Sequence, residues 1–273
     1  MEQSRGIFEA LNGNIYGNIS NSQTLVLGHG FGSTQSVWHN LIPFLALYFR
    51  VVVFDLAFSP NVIPKMYDPN KYSNYSGYAH DLVGVLDELK VDKPIFMGHS
   101  MSAMIGCLAS IQRPQLFQHL ILLGGSPRYL NDQEYEGGFE KSDIDEIFNQ
   151  MKQNYTDWVQ NFAPNSIGVN DSNAISEFER SLKMINPNTS FDVAKSVFLS
   201  DYRSILSQVQ VRATIIQSKD DFVVPLFVGN YMKEKLGGLV NLTILDTHGH
   251  FPMLTNHSLL LKVLSSVLGI QDG

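Results

Sequence analysis

Short apolar runs alternate with longer amphipathic segments along most of the chain. The apolar runs predict buried strands at residues 24–28, 50–55, 94–98, 119–124, 211–218 and 240–246. Segments of helical period lie between them and predict helices near residues 37–47, 75–89, 100–112, 226–235 and 258–268. Such alternation is typical of an α/β fold, a mostly parallel sheet with helices on both faces. Residues 7–16, with Asn12-Gly13 in the middle, predict an N-terminal hairpin.

The alternation is interrupted once, between about residues 127 and 203. No buried strand is predicted there, whereas amphipathic helices are predicted at residues 144–162, 174–184 and 191–199. Helices inserted after the sixth strand would lie over the carboxyl end of the sheet, where open α/β sheets bind ligands. We therefore expect a single structural domain with a core of residues 1–126 and 204–273 and a helical cap of residues 127–203.

Composition narrows the class of protein. The chain has 273 residues, of which 44% are hydrophobic, enough to fill one core. A net charge of -7 without clustered Lys and Arg argues against nucleic-acid binding. Met1 to Ala10 has no apolar signal region, and no apolar run approaches the ~18 residues of a membrane helix. Cys107 is the only cysteine, which excludes an internal disulfide and fits a reducing compartment, so we expect the protein in the cytoplasm and nucleus. We also expect a monomer.

The segment 95–106 combines an apolar strand, a tight turn at Ser100 and a helix of small residues. This is the context of a nucleophile elbow, G-x-S-x-G, and places the expected fold among the α/β-hydrolases. Ser102 replaces the last glycine of the motif, which weakens the match without abolishing it. The alternative is an ordinary strand-to-helix turn in which Ser100 is only a helix N-cap.

A glycine-rich loop, Gly28-His29-Gly30-Phe31-Gly32, follows the first predicted buried strand. In this fold such a loop supplies one backbone donor to the oxyanion, and the residue after the nucleophile supplies the other. The predicted donors are the amides of Phe31 and Met101. A phosphate-binding loop is disfavoured because no Gly-Lys-Ser/Thr follows. We interpret His29 as a structural histidine.

A serine nucleophile needs a histidine base and an orienting carboxylate, which follow it in the order acid, then histidine. Asp220 and Asp221 end one late strand, and His248 and His250 end the next. Spacing alone does not select one residue from either pair. A zinc site at His-x-His is disfavoured because no clustered third ligand is evident, and no metal or organic cofactor is expected.

These residues resemble the plant α/β-hydrolases of the strigolactone and karrikin receptor type, which are related to a bacterial stress-signalling hydrolase. The resemblance covers nearly the whole chain, and Ser102 in place of the elbow glycine is itself a mark of the family. The matching stretches are 28–32, 35–38, 98–106, 126–132, 137–140, Trp158 with 162–164, and 249–250.

The resemblance implies the remaining site residues. It places the acid four residues before Pro225, at Asp221, and the base at His250, after Gly249. It also implies a ligand pocket lined by Phe31, Tyr129, Phe139, Trp158, Phe162, Phe198 and Val223. For each aromatic residue the alternative is ordinary packing within the cap.

The resemblance also implies a function: binding and slow hydrolysis of a small apolar butenolide-type lactone or ester in hormone-like signalling. Its protein partners would be an F-box protein and repressors. Two alternatives are a general carboxylesterase of metabolism and a signalling module with vestigial catalysis. Residues 56–62 depart from the family's glycine-containing loop, and Phe58 and Pro60 should stiffen it. This departure suggests a divergent member, of the dwarf-fourteen-like-two branch.

Overall fold

A seven-stranded sheet forms the centre of the computed structural model, which describes residues 6–18, 23–63 and 66–270. Residues 1–5, part of the segment Met1 to Ala10 in which the sequence has no apolar signal region, lie outside the described residues. The strands are β1 (Asn14–Tyr16), β2 (Thr24–Gly28), β3 (Arg50–Val53), β4 (Ile95–His99), β5 (His119–Leu123), β6 (Ala213–Asp220) and β7 (Val240–His248).

The strand order is β1-β3-β2-β4-β5-β6-β7, and every neighbouring pair is parallel except β1 and β3. All residues of β2, β4 and β5 are buried, as expected for central strands covered on both faces. Parallel pairing brings the carboxyl ends of these strands to one edge. The loops that follow β2, β4, β6 and β7 therefore meet there.

Helices flank the sheet and cover its carboxyl edge. Those of the core are α1 (Ile7–Ala10), α2 (Ile42–Leu45), α3 (Ser76–Glu88), α4 (Met101–Gln112), α9 (Leu226–Lys235), α10 (Pro252–Thr255) and α11 (His257–Leu268). The cap contains α5 (Lys141–Gln153), α6 (Tyr155–Ile167), α7 (Ser172–Met184) and α8 (Pro187–Phe198). No helix within the described residues is long and apolar enough to cross a membrane.

The cap follows the fifth strand of the sheet, not the sixth, and the predicted N-terminal hairpin is wrong. Residues 7–10 form helix α1, which packs against α3, and only residues 14–16 pair with β3. Ala10 and Leu11 are buried between these elements. Asn12-Gly13 thus joins a short helix to a strand and not two strands, so this segment adds one strand to the sheet.

Two predicted helices are divided in the structure. The helix predicted at residues 144–162 is split at Asn154, which ends α5 and caps α6 by accepting a hydrogen bond from the Asp157 amide. The helix predicted at residues 37–47 is a 3₁₀ turn at Gln35–Trp38 followed by the four-residue α2. The first division occurs at a capping asparagine and the second at a proline near the start of α2. The periodicity of apolar residues does not reveal either signal.

The two chain segments that join the cap to the core run side by side. Arg128 and Asp201 form a β-bridge, and the guanidinium of Arg128 donates to the Asp201 carboxylate at 2.8 Å. Arg203 donates to Asp201 at 2.7 Å and to Asp132 at 3.0 Å. These four residues, which we call the base cluster, hold together the chain segment that enters the cap and the segment that leaves it.

Candidate active site

Ser100 lies at a sharp turn between β4 and α4. Its backbone has φ 56° and ψ -121°, a conformation that L-residues rarely adopt and that here projects the side chain from the edge of the sheet. Strand β4 ends at His99 and helix α4 begins at Met101. Because Met101 is the first residue of the helix, its amide has no carbonyl four residues earlier to bond. This is the geometry of an elbow with a free donor beside the serine.

His250 and Asp221 form a buried hydrogen-bonded pair. Nδ1 of His250 donates to Oδ2 of Asp221 at 2.7 Å, and the two side chains are 4% and 1% exposed. The other carboxylate oxygen, Oδ1, accepts from the amides of Val223 at 2.8 Å and Val224 at 3.1 Å. These bonds stabilise the carboxylate and fix the tautomer of the imidazole, leaving Nε2 as an acceptor.

The neighbouring pair, Asp220 and His248, lies on the surface. Oδ2 of Asp220 is 3.3 Å from Nδ1 of His248, and their side chains are 60% and 64% exposed. Asp220 and His248 are the last residues of β6 and β7, whereas Asp221 lies just beyond β6 and Gly249, with φ 86°, turns the chain before His250. One acid and one histidine are therefore buried, and the others face solvent. Within the described residues, no group of three or more His, Cys, Asp or Glu side chains could hold a metal ion.

Ser100 and His250 face the same small cavity under the cap. Nε2 of His250 is buried and has no hydrogen-bond partner among the described residues, so it is free to accept a proton. Tyr129 also lines this cavity, and its hydroxyl is buried. Burial raises the pKa of Tyr129 well above its usual value, so the phenol remains protonated at neutral pH.

A network around His29 holds the loop after β2. Nδ1 of His29 donates to the carbonyl of Gly30 at 2.9 Å, and Nε2 accepts from the Leu56 amide at 2.9 Å. The Ser33 hydroxyl donates to the same Gly30 carbonyl at 3.0 Å. Because a peptide unit is planar, fixing this carbonyl turns the amide of Phe31 in the opposite direction. Burial lowers the pKa of His29, so its ring acts as a neutral structural bridge.

His99 ties the serine turn to the histidine loop. Its Nε2 donates to the carbonyl of His250 at 2.8 Å, and its ring lies 4.7 Å from that of His250. Burial, followed by the neighbouring His250, lowers the pKa of His99 well below its usual value. A neutral His99 avoids placing a second cation beside the proton acceptor. Sequence reasoning did not identify this contact, because His99 is the variable position of the elbow motif.

The cavity has a volume of about 20 Å³. Since a cavity of about 10–15 Å³ holds a water molecule, this one has room for little more. Of the seven predicted pocket residues, five line it: Phe31, Tyr129, Phe162, Phe198 and Val223. Ser166, Phe178, Val197 and Phe251 line it as well and were not predicted.

Phe139 and Trp158 lie one layer behind the cavity wall. Trp158 stacks on Phe162 with ring centroids 5.0 Å apart, and Phe139 contacts Phe198 edge-on at 5.5 Å. Their contact with a ligand therefore stays a prediction that requires the wall to move. Among the residues that were missed, Phe251 directly follows His250, and its proximity in sequence was the available signal.

The divergent loop at residues 56–62 packs against the loop after β2. Phe58 is buried, with its ring 6.4 Å from Phe31 and 5.7 Å from His29. The Ser59 hydroxyl lies 3.3 Å from Nε2 of His29. The loop thus supports the wall of the cavity from below, and Pro60 lies outside the cavity lining.

Comparison with known proteins places the chain among hydrolases. Residues 23–257 match the family described as alpha/beta hydrolase fold. The strigolactone esterase D14 of Arabidopsis thaliana is 41% identical over 96% of this chain and 97% of its own length. The Karrikin insensitive 2 receptor CA of Petunia hybrida is 44% identical over 94% of each chain.

A solved structure agrees with this placement. The hydrolase olei00960 of Oleispira antarctica has a TM-score of 0.93 and 31% identity, covering 97% of each chain. Agreement over the whole length includes the cap as well as the sheet.

Proposed function

The chain belongs to the α/β-hydrolase family, with the strigolactone esterases and karrikin receptors among its relatives, and we propose that it binds and slowly hydrolyses a small apolar butenolide-type lactone or ester in hormone-like signalling. The observation that carries the proposal is the hydrogen-bonded Asp221–His250 pair at an apolar cavity that also contains Ser100. The relatives' names supply the class of ligand.

In the proposed reaction, Ser100 Oγ attacks the ligand carbonyl while Nε2 of His250 takes its proton. Asp221 stabilises the imidazolium, and the amides of Phe31 and Met101 donate to the oxyanion. The protonated His250 then gives its proton to the leaving oxygen, and an acyl-serine remains. Water, deprotonated by His250, attacks this ester, releases the acid and restores Ser100.

The character of the cavity supports an uncharged ligand. Aromatic and aliphatic side chains form most of its wall, and they offer few partners for an ionic group. At about 20 Å³ it is far smaller than the roughly 300 Å³ or more of ligand pockets, so binding requires the cap to move. Coupling of ligand binding to a change of shape suits a receptor, and cap movement slows turnover.

Replacement of the nucleophile tests this proposal. We expect Ser100→Ala to lose hydrolysis of a p-nitrophenyl ester while keeping its thermal unfolding midpoint. In the same variant, calorimetry should detect binding of a compact butenolide and weaker binding of a multi-ring strigolactone analogue. Ester hydrolysis that persisted in the purified variant would exclude Ser100 as the nucleophile. Preference for a carboxylate-bearing ester would exclude the apolar ligand.

The same proposal includes protein partners, an F-box protein and repressors, by resemblance to the receptors. Receptor function predicts that binding to them depends on the butenolide, whereas a general carboxylesterase would turn over many short acyl esters rapidly without such binding. Pull-down with and without ligand, together with turnover on an ester panel, separates these functions.

A further inference from the structure

Ser102 occupies the position where the elbow motif carries glycine, and its hydroxyl links helix α4 to the loop after β2. Oγ of Ser102 donates to the carbonyl of His29 at 2.5 Å, and the side chain is almost fully buried. Ser102 is the second residue of α4, directly after Met101. His29 lies two residues before Phe31 in the loop after β2. One hydrogen bond therefore joins the two segments that carry the proposed oxyanion donors.

Two glycines provide the space for this bond. Gly28 and Gly98 are register partners at the ends of β2 and β4. A Cβ on Gly98 would lie 2.4 Å from the carbonyl oxygen of Ser102, so the start of α4 could not approach the sheet this closely. A Cβ on Gly28 would lie 3.0 Å from Ser102 Oγ. The side chain of Ser102 occupies the space above this glycine pair.

The bond completes the support of the loop. The next carbonyl, that of Gly30, already accepts from Nδ1 of His29 and from the Ser33 hydroxyl. With Ser102 bonded to the His29 carbonyl, two consecutive peptide units are held, and planarity transmits this constraint to the amide of Phe31. Of these three hydrogen bonds, the one from Ser102 connects the loop to α4, and the other two lie within the loop.

We propose that Ser102 is a positioning residue that keeps the amides of Phe31 and Met101 at the correct separation for the tetrahedral oxyanion. This inference rests on the proposed Ser100 chemistry. A hydroxyl in place of the usual elbow glycine thus strengthens the oxyanion hole instead of weakening the motif. Removing it should affect the transition state and leave ground-state binding of the ligand unchanged.

Ser102→Ala is the test, with Ser110→Ala as the matched control. Ser110 is a buried serine of the same helix, and its hydroxyl donates to the Cys107 carbonyl within that helix at 2.8 Å. Complete loss of one oxyanion donor costs about 100- to 1000-fold in kcat, so loosening of a retained donor should cost roughly tenfold. We expect that decrease for Ser102→Ala with KM unchanged, and less than twofold change for Ser110→Ala. Ser102→Gly, which restores the usual motif, should show the same loss as Ser102→Ala.

Two further measurements separate positioning from general damage. Ser102→Ala should weaken inhibition by a boronate that forms a tetrahedral adduct on Ser100 by roughly the factor lost in kcat. Adding Ser102→Ala to Ser100→Ala should leave the calorimetric affinity for the butenolide unchanged. Equal kcat losses in Ser102→Ala and Ser110→Ala, or an unchanged boronate affinity, would overturn the inference. Persistent hydrolysis by Ser100→Ala would instead overturn the proposed function.

Discussion

Asp220 and Asp221 have the same side chain one residue apart, yet they differ in every property relevant to catalysis. Asp221 is 1% exposed and accepts from His250 and two backbone amides, whereas Asp220 is 60% exposed and faces His248. Only the buried carboxylate can hold an imidazole whose Nε2 faces Ser100's cavity. The difference lies in the side of the strand end to which each residue points.

This contrast gives a prediction with its own control. We expect Asp221→Asn to lower kcat by about four orders of magnitude, because the amide would favour the wrong tautomer of His250. Asp220→Asn, an identical change at the exposed neighbour, should remain within twofold of the parent. Steady-state kinetics on one chromogenic ester measures both. An inactive Asp220→Asn variant together with an active Asp221→Asn variant would reverse the assignment of the acid.

At this scale the sequence was informative where motifs are local. The elbow around Ser100 and the loop around Phe31 are each a continuous stretch of sequence that forms a single turn, so a local motif identifies them. Selection of Asp221 over Asp220 depended on family resemblance, since orientation at the strand end is decided by the fold. Phe178 lies on α7, far from Ser100 in sequence, and no local pattern brings it to the cavity.

The cap helices determine how much of the cavity is open. Phe178 of α7 fills space between core and cap, with ring centroids 4.3 Å from Phe251 and 6.4 Å from Phe162. Amphipathic periodicity predicted these helices because each buries one face. It missed the break at Asn154, where a capping side chain starts a new helix in a different direction.

Truncation of Phe178 should lower the stability of the protein and enlarge the cavity. We expect Phe178→Ala to lower the free energy of unfolding by about 3–5 kcal/mol, the usual cost of a buried Phe-to-Ala change. It should also tighten binding of the larger, multi-ring ligand. Phe191→Ala is the control, because Phe191 packs on Phe148 in the cap and does not line the cavity. Urea unfolding and calorimetry provide the two readouts.

If both variants changed ligand affinity equally, general loosening of the cap would explain the effect. If Phe178→Ala lost stability without any gain for the larger ligand, the ring would not limit the cavity.

At the scale of the whole molecule, burial lowers the pKa values of three histidines within the described residues: His29, His99 and His119, the last to about 4. In the unfolded chain such side chains titrate near the ordinary value of about 6.5. Above that pH they are neutral in both states and contribute no slope to stability. Below it the unfolded chain binds protons that the folded chain does not, and stability falls as the pH falls.

We therefore expect the free energy of unfolding to decrease between pH 6.5 and pH 5. Each histidine contributes at most about 1.4 kcal/mol per pH unit. The contribution of His119 should end near pH 4, where the folded state also takes up its proton. Urea titrations at pH 7, 6 and 5 measure the slope, and His119→Gln should reduce it. A flat profile over this range would contradict neutral burial of these side chains.

The side-by-side attachment of the cap has an evolutionary consequence. The base cluster brings the departing and returning strands to a β-bridge at Arg128 and Asp201, so about seventy residues form a cassette with adjacent ends. Insertions, deletions or wholesale exchange within this cassette would leave the alignment of the seven strands intact. The proposed catalytic groups on the core and the cavity-lining residues on the cap can thus diverge at separate rates. Proteins of this architecture can therefore change the ligand that they accept while the groups on the core stay in place.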